Sequence, residues 1–137
     1  MSESGNMINL GINNERLKDG EEINYENLRD WVIKRLLHLP DEIGDVERDI
    51  LHYSVSLDDA KADLAEKEAV LIKEGKVEGK NEQQRKASLM SQTTDERQEI
   101  RELEKQIAKA KLLYNYKMNE FSSLRSLAKL LPPKEVK

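Results

Sequence analysis

The chain contains 137 residues, of which 36% are charged and only 4% are aromatic, and it carries a net charge of −4 and no cysteine. This composition fits one domain built from long helices or a coiled coil rather than a compact α/β enzyme. It also excludes disulfides and thiolate metal sites, and no window approaches the roughly 18 apolar residues of a membrane span. Residues 1–11 lack the basic start and apolar run of a signal peptide, so we expect a soluble cytoplasmic protein.

The N-terminal part is predicted to contain an irregular segment followed by a short helix. Residues 1–22 are polar and show no sustained period, apart from a short apolar alternation at 7–12 that suits a brief strand or a clamp on a partner. From Asn24, a predicted N-cap, apolar residues recur at steps of three and four as far as Leu39. Pro40 is expected to end this helix at 24–39, because proline disrupts a helix interior.

Two regular heptad repeats then predict two long arms, at 41–74 and 94–131, before a tail at 132–137. Each repeat places apolar residues at alternating steps of three and four, with one lysine, Lys67 or Lys117, in each seam. Arms of similar length predict an antiparallel hairpin roughly 45 Å long, at 1.5 Å per residue. The predicted seam positions are Ile43, Val46, Ile50, Tyr53, Leu57, Ala60, Leu64 and Leu71 on the first arm, and Ile100, Leu103, Ile107, Ala110, Tyr114, Phe121, Leu124, Ala128 and Leu131 on the second.

The connection at 75–93 is too long for a plain turn between two helices. Gly75, Gly79 and Asn81 lower the helix propensity at its start, whereas the residues at 81–91 suit a short helix. Thr93 and Glu96 match a capping box, which predicts that the return arm begins there. The tip is therefore predicted to be a small structural unit.

These features predict an all-α protein with a single helical domain at 23–137, in which helix 24–39 packs at the base of a long coiled-coil hairpin. A second apolar stripe lies off the seam of the return arm and needs cover from helix 24–39, from another copy of the chain, or from both. We favour both, and hence a homo-oligomer; a closed three-helix monomer is the alternative. The candidate interface residues are Trp31, Leu112, Leu113, Tyr116, Leu127 and Leu130.

The charge is distributed unevenly along the chain. Residues 1–72 carry a net charge of −9, residues 73–96 are neutral, and residues 97–137 carry +5. In a hairpin the acidic and basic arms lie side by side, so pairing between them accounts for much of this asymmetry. The alternative is a basic face that binds a polyanion.

The tip contains the stretch EGKVEGKNEQQRKASL at 74–89, which ends in a GKN-x-x-x-RKA-x-L pattern. This stretch resembles a recurrent mid-chain signature of small helical phage and prophage proteins, and the size and layout of the chain are similar to the UvsY-type recombination mediators. The resemblance implies a non-enzymatic, ring-forming protein that helps to load a strand-exchange recombinase on single-stranded DNA. The tip positions to which the resemblance assigns this role are Gly79, Lys80, Asn81, Arg85, Lys86 and Leu89. The acidic overall charge departs from that of a strong DNA binder.

Candidate nucleic-acid contacts occur at the tip and on the return arm. Proteins that bind single strands combine a cationic track with aromatic faces on which bases stack. The alternative for each set is a solvated coiled-coil face that pairs with the acidic arm. The candidates are Lys76, Lys80, Asn81, Arg85 and Lys86 at the tip, and Lys105, Lys109, Tyr116 and Lys117 on the return arm.

The sequence predicts no catalytic site, metal site or cofactor. His38 and His52 have no second ligand at a helical spacing that would form a zinc site. Asp58, Asp59 and Asp63 form an acidic pattern that coiled-coil exteriors produce routinely. No phosphate-binding glycine loop or nucleophile elbow is present.

Two functions follow from these observations. The first is a phage-type recombination or replication accessory protein that binds single-stranded DNA weakly and also binds a recombinase or a single-strand-binding protein. The second is a protein-only adaptor or inhibitor that uses the acidic face at 41–68, or the N-terminal segment, to occupy a basic surface of its partner. A coiled-coil spacer is a third possibility.

Overall fold

The computed structural model describes residues 24–132 and contains three helices: α1 at Tyr25–Lys73, α2 at Glu82–Gln92 and α3 at Thr94–Leu130. The other described residues are 24, 74–81, 93 and 131–132. The two long helices pack against each other, so the predicted all-α hairpin is confirmed. The predictions for 1–22 and for most of the tail at 132–137 lie outside the described residues.

The predicted helix end at Pro40 is wrong, because α1 continues through this proline as one helix of 49 residues. Val32, Leu39, Ile43 and Val46 are buried on both sides of Pro40, and their spacing keeps one heptad phase throughout. A break at Pro40 would turn part of this stripe away from the core. Burial of the stripe therefore offsets the roughly 3 kcal/mol that a proline costs inside a helix.

The described chain divides into two compact units, and each contains a part of α1 and a part of α3; unit 2 also contains α2. Unit 1 contains residues 24–46 and 112–132, and unit 2 is Glu47–Lys111. The core of unit 1 is centred on buried Val32, Leu39 and Leu124. Half-buried side chains surround these three: Leu28, Trp31, Leu36, Phe121, Leu127, Ala128 and Leu131.

The predicted seam is confirmed in unit 2, where each of its positions is buried or half-buried. Ala60 is buried at 6% exposure. The half-buried positions are Ile50, Tyr53, Leu57, Leu64, Lys67 and Leu71 on α1, and Ile100, Leu103, Ile107 and Ala110 on α3. The sequence period alone therefore identified the faces along which α1 and α3 meet in this unit.

A network of four charges links α1 to α3 in unit 1. The Arg35 guanidinium donates to Glu42, with an Nη1–Oε2 distance of 2.7 Å, and to Glu120, with an Nη2–Oε1 distance of 3.0 Å. Lys117 Nζ, at a seam position, donates to Glu42 Oε1 at 2.8 Å. The two positive and two negative charges cancel, so this partly buried cluster carries no net charge.

These contacts change the protonation of Glu42. Its hydrogen bonds with Arg35 and then with Lys117 lower its pKa to about 2, although burial opposes the change. The hydrogen bonds of Arg35 to Glu42 and then to Glu120 raise the pKa of Arg35 above its ordinary value, although burial opposes this change as well. Because the folded-state pKa of Glu42 is below the unfolded value of about 4.3, this pair stabilises the fold above pH ~5, and the stabilisation is lost as the pH falls towards 2.

Replacing the interior proline should stabilise α1. In Pro40→Ala the helix regains the missing backbone N–H, and because Pro40 is exposed, no buried contact is lost. We expect the free energy of unfolding in urea, followed by circular dichroism, to rise by about 1–3 kcal/mol. Pro132→Ala, at an exposed position beyond α3, is the matched control and should change it by less than about 0.5 kcal/mol. A destabilised Pro40→Ala variant would show instead that the packing needs the proline.

The Arg35 network predicts a specific pH dependence. Glu42→Gln should lower the free energy of unfolding at pH 7 by about 1–2 kcal/mol, after allowance for solvent screening of this half-buried group. The variant should also lose less stability than the parent chain between about pH 5 and pH 2.5, because Glu42 no longer takes up a proton. Urea unfolding across this pH range measures both effects. Glu104→Gln, at an exposed position of α3, is the control, and equal acid sensitivity of Glu42→Gln and the parent chain would contradict the assignment.

Candidate nucleic-acid interface

The uncharged residues of the tip signature build the turn that begins α2. Asn81 is the N-cap, and its Oδ1 accepts from Gln84 N at 2.8 Å. In return, Gln84 Oε1 accepts from Lys80 N at 2.8 Å. Gly79 has a φ of +141°, and a Cβ at this position would lie 2.7 Å from Arg85 N. The Gly-Lys-Asn sequence therefore has a local structural purpose, independent of any ligand.

The loop before α2 is attached to that helix by two polar side chains. Ser88 Oγ accepts from Glu78 N at 3.1 Å, and Gln92 Nε2 donates to the Lys76 carbonyl oxygen at 2.8 Å. Gln92 Nε2 also lies 3.2 Å from Ser88 Oγ. These hydrogen bonds and the N-cap attach the loop to α2, a helix that has no buried residue.

Thr93 joins α2 to α3 and is fully buried. Its hydroxyl donates to the Leu89 carbonyl oxygen at 2.7 Å and accepts from Arg97 Nε at 2.9 Å. The predicted start of the return helix agrees with the structure to within one residue, but the hydroxyl makes these bonds rather than those of the predicted capping box. The corner between α2 and α3, formed by Thr93, is thus connected to Arg97, which also pairs with Glu68 on α1.

Two neighbouring ion pairs join this corner to α1 in unit 2. Lys67 Nζ, at a seam position, lies 2.8 Å from Glu96 Oε2, and Arg97 Nη2 lies 2.9 Å from Glu68 Oε2. The hydrogen bond with Lys67 is the main reason that the pKa of Glu96 lies below its ordinary value. Consecutive residues on α1 therefore meet consecutive residues on α3 with opposite charges, which favours one register of the two helices.

The cationic residues of the signature remain on the surface of the tip. Lys76, Lys80, Arg85 and Lys86 are all exposed. Lys76 Nζ lies 3.2 Å from Glu74 Oε1, a pair in which both side chains are about half exposed. Such a pair contributes little to stability and is readily exchanged for another anion. The signature thus separates into residues that form the turn and cations that face solvent.

The candidates on α3 are not brought together in the same way. Lys105 and Lys109 are exposed in unit 2, and Lys105 lies 3.6 Å from Glu102 one turn earlier. Tyr116 and Lys117 belong to unit 1. Tyr116 is 45% exposed, whereas Lys117 turns towards the seam and pairs with Glu42. Within the described residues, the tip is therefore the denser group of exposed cations.

The predicted interface residues divide between the core and the surface of unit 1. Trp31 and Leu127 pack against the core of Val32, Leu39 and Leu124. Leu112, Leu113, Tyr116 and Leu130 remain exposed, with Leu130 at 81%. The first part of α1 thus covers a portion of the second apolar stripe, and the remainder of that stripe faces solvent.

Sequence reasoning did not identify Ser88, Gln92 or the structural use of Gln84. The Asn-x-x-Gln spacing at 81–84 is a variant of the capping box and was a usable signal. The loop contacts of Ser88 and Gln92 leave no sequence signature, because they depend on how the loop folds back. Among residues 24–132 no three His, Asp or Glu side chains lie close enough together to hold a metal ion, and no helix of this part is long and apolar enough to cross a membrane.

Comparison with known proteins gives no relative from which a function can be transferred. No protein-family model matches the chain, and neither a curated protein nor a solved structure matches it. The resemblance to recombination mediators therefore contributes to a proposal and not to an assignment.

The two glycines of the tip provide a matched test of its turn. Both have a positive φ, +68° at Gly75 and +141° at Gly79, but only at Gly79 would a Cβ collide with the backbone of α2. We expect Gly75→Ala to cost about 1 kcal/mol, and Gly79→Ala to cost more and to lower the hydrogen-exchange protection of the α2 amides. Hydrogen exchange measured by NMR checks both variants. Equal protection of α2 in the two variants would contradict the assigned turn.

Proposed function

We propose that this protein is a non-enzymatic accessory factor of phage-type recombination or replication, acting in the cytoplasm of a bacterial host. In this proposal the tip contacts the phosphate backbone of single-stranded DNA, weakly and without sequence preference. The helices bind a recombinase or a single-strand-binding protein, and the chain works as a homo-oligomer. The tip signature at 74–89 and its resemblance to mediator-type proteins are the reasons for placing it in this class.

The observation that carries the nucleic-acid part is the composition of the tip surface. Lys76, Lys80, Arg85 and Lys86 lie close together in the chain and are exposed. The helix that carries Arg85 and Lys86 buries no side chain, so its outer surface is not needed for a core. Exposed cations on a structured turn suit the phosphate backbone, where charge neutralisation releases counterions and supplies most of the affinity.

The absence of an aromatic side chain from the tip at 74–93 limits the type of contact that we propose. Stacking on aromatic rings strengthens the binding of single strands. Without it, affinity depends on charge, so binding should be weak, independent of base sequence and sensitive to salt. This agrees with an accessory role in which a recombinase, rather than this protein, holds the strand tightly.

A charge-matched pair of variants tests the proposed contact. Arg85→Gln combined with Lys86→Gln should weaken binding of a fluorescein-labelled oligothymidine. The negative slope of log affinity against log salt should become less steep, by about 0.7 per lost phosphate contact. Lys34→Gln combined with Lys129→Gln removes the same charge from exposed positions of unit 1. This control should keep the slope of the parent chain. Fluorescence anisotropy at several salt concentrations measures both variants.

Two outcomes would contradict the proposal. Equal losses in the two variants would show that only the net charge matters and not the tip. Undetectable binding of the parent chain at low salt would remove the nucleic-acid part altogether. The second candidate function would then be favoured, a protein-only adaptor that presents its acidic face to a basic partner. The observation that favours it is the exposure of Asp58, Asp59 and Asp63 on α1.

A further inference from the structure

A second heptad repeat lies on the outward face of α1, within unit 2. We define the outer stripe as the positions that alternate by steps of four and three from Leu51 to Ile72. Large apolar side chains at its two ends are exposed: Leu51 at 65%, Val55 at 52% and Ile72 at 60%. The complete stripe is Leu51, Val55, Asp58, Ala62, Ala65, Ala69 and Ile72, and each of its residues is exposed.

The outer stripe cannot be part of the seam between α1 and α3. In a heptad helix, the residues one and five positions after every second seam residue lie on the side opposite the seam. Leu51 and Val55, which follow the seam residue Ile50, are an example. Tyr53 and Leu57 on the seam are half-buried, whereas their neighbours on the outer stripe, Val55 and Asp58, are exposed. Single exposed apolar residues are common on protein surfaces, but an apolar heptad repeat is the pattern of a helix that packs on a second helix.

Unit 2 also has a small core. Among its residues only Ala60 and Thr93 are buried, and its large apolar seam side chains are only half-buried. Small units with little buried apolar surface are marginally stable and often gain stability by association. Covering Leu51, Val55 and Ile72 would add apolar burial to this unit.

We propose that the outer stripe is a self-association surface on which α1 of a second copy packs in parallel. The flanking charges select this partner. In a parallel pair, the residue just before Val55, Ala62 or Ala69 meets the residue five positions later on the other helix. This alignment brings Lys61 opposite Glu66 of the second copy, and it brings Glu68, which also pairs with Arg97 of its own chain, opposite Lys73 of the second copy. By symmetry each of these attractive pairs occurs twice.

The remaining flanking pair agrees with the parallel arrangement, because Ser54 meets Asp59 of the second copy without repulsion. An antiparallel α1 gains less in the two registers that overlap most of the outer stripe. One register places Asp59 opposite Asp59 and Lys61 opposite Lys61 of the second copy. In the other, repulsion between Asp59 and Glu66 offsets the attraction between Lys61 and Glu68.

Two features of the outer stripe indicate that the dimer is weak and reversible. Alanines occupy three consecutive positions, Ala62, Ala65 and Ala69; they allow close approach of the helices but bury little apolar area. Asp58 meets its own counterpart across the two-fold axis, and the repulsion between the two carboxylates costs affinity. This self-association does not depend on DNA binding and places the dimer contact on α1, separate from the exposed patch of Leu112, Leu113 and Tyr116 on α3.

Complementary charge swaps test the proposal on the full chain. Lys61→Glu and Glu66→Lys should each raise the dimer dissociation constant, on the order of tenfold, because each brings like charges together. An equimolar mixture of the two variants should recover the association of the parent chain, since the glutamate introduced at position 61 of one variant then meets the lysine introduced at position 66 of the other. Residues five apart do not interact within one helix, so this recovery must come from contact between chains. Sedimentation equilibrium measures all three samples.

A gain of affinity and a charge-matched control complete the experiment. Asp58→Ala should tighten the dimer, which a folding defect would not do. Lys109→Glu makes the same charge change as Lys61→Glu at an exposed position of α3 and should leave the association unchanged. Circular dichroism should show equal helix content in all variants.

Three results would overturn the proposal: a parent chain that stays monomeric at high concentration, a mixture that associates no better than the single variants, or an association abolished by Leu112→Lys and unaffected by Lys61→Glu. The last result would place the contact between copies on α3.

Discussion

Burial of the apolar seam between α1 and α3 holds the two long helices together. The positions of the seam are buried or half-buried in both units, and the buried apolar side chains of the described residues all keep its heptad phase. For this reason α1 continues through Pro40, since ending there would turn Val32 and Leu39 out of phase with Ile43 and Val46. Local propensity and tertiary packing compete at this proline, and packing prevails.

Charges give the seam its register. A purely apolar two-helix seam tolerates sliding by one heptad, because each layer resembles the next. Here the two lysines of the seam each meet a glutamate of the opposite helix, Lys117 with Glu42 in unit 1 and Lys67 with Glu96 in unit 2. Arg35 bonds to carboxylates on both helices. Sliding by one heptad would leave these partly buried charges without partners, at a cost that exceeds the lost attraction.

The tip shows that one sequence signature can combine two purposes. Gly79, Asn81 and Gln84 form the turn and cap α2, so their presence needs no ligand to explain it. The cations interspersed with them contribute nothing comparable to the fold. The interpretation of the signature as a binding site therefore depends on Lys80, Arg85 and Lys86. A resemblance that rests mainly on the glycine and the asparagine would reflect a shared turn geometry.

Heptad period and turn propensity are local properties, so they were sufficient to predict the helical class, the two arms, the seam and the short tip helix. The sequence by itself did not determine whether Pro40 ends α1, because that depends on buried area gained across the proline. It placed Lys117 among the DNA-binding candidates, since a linear pattern does not show that Glu42 lies within reach. Trp31 and Leu127 became core residues for the same reason. Which charges are paired and which apolar residues are covered depends on contacts between residues distant in the chain, and these contacts form only when α1 and α3 pack together.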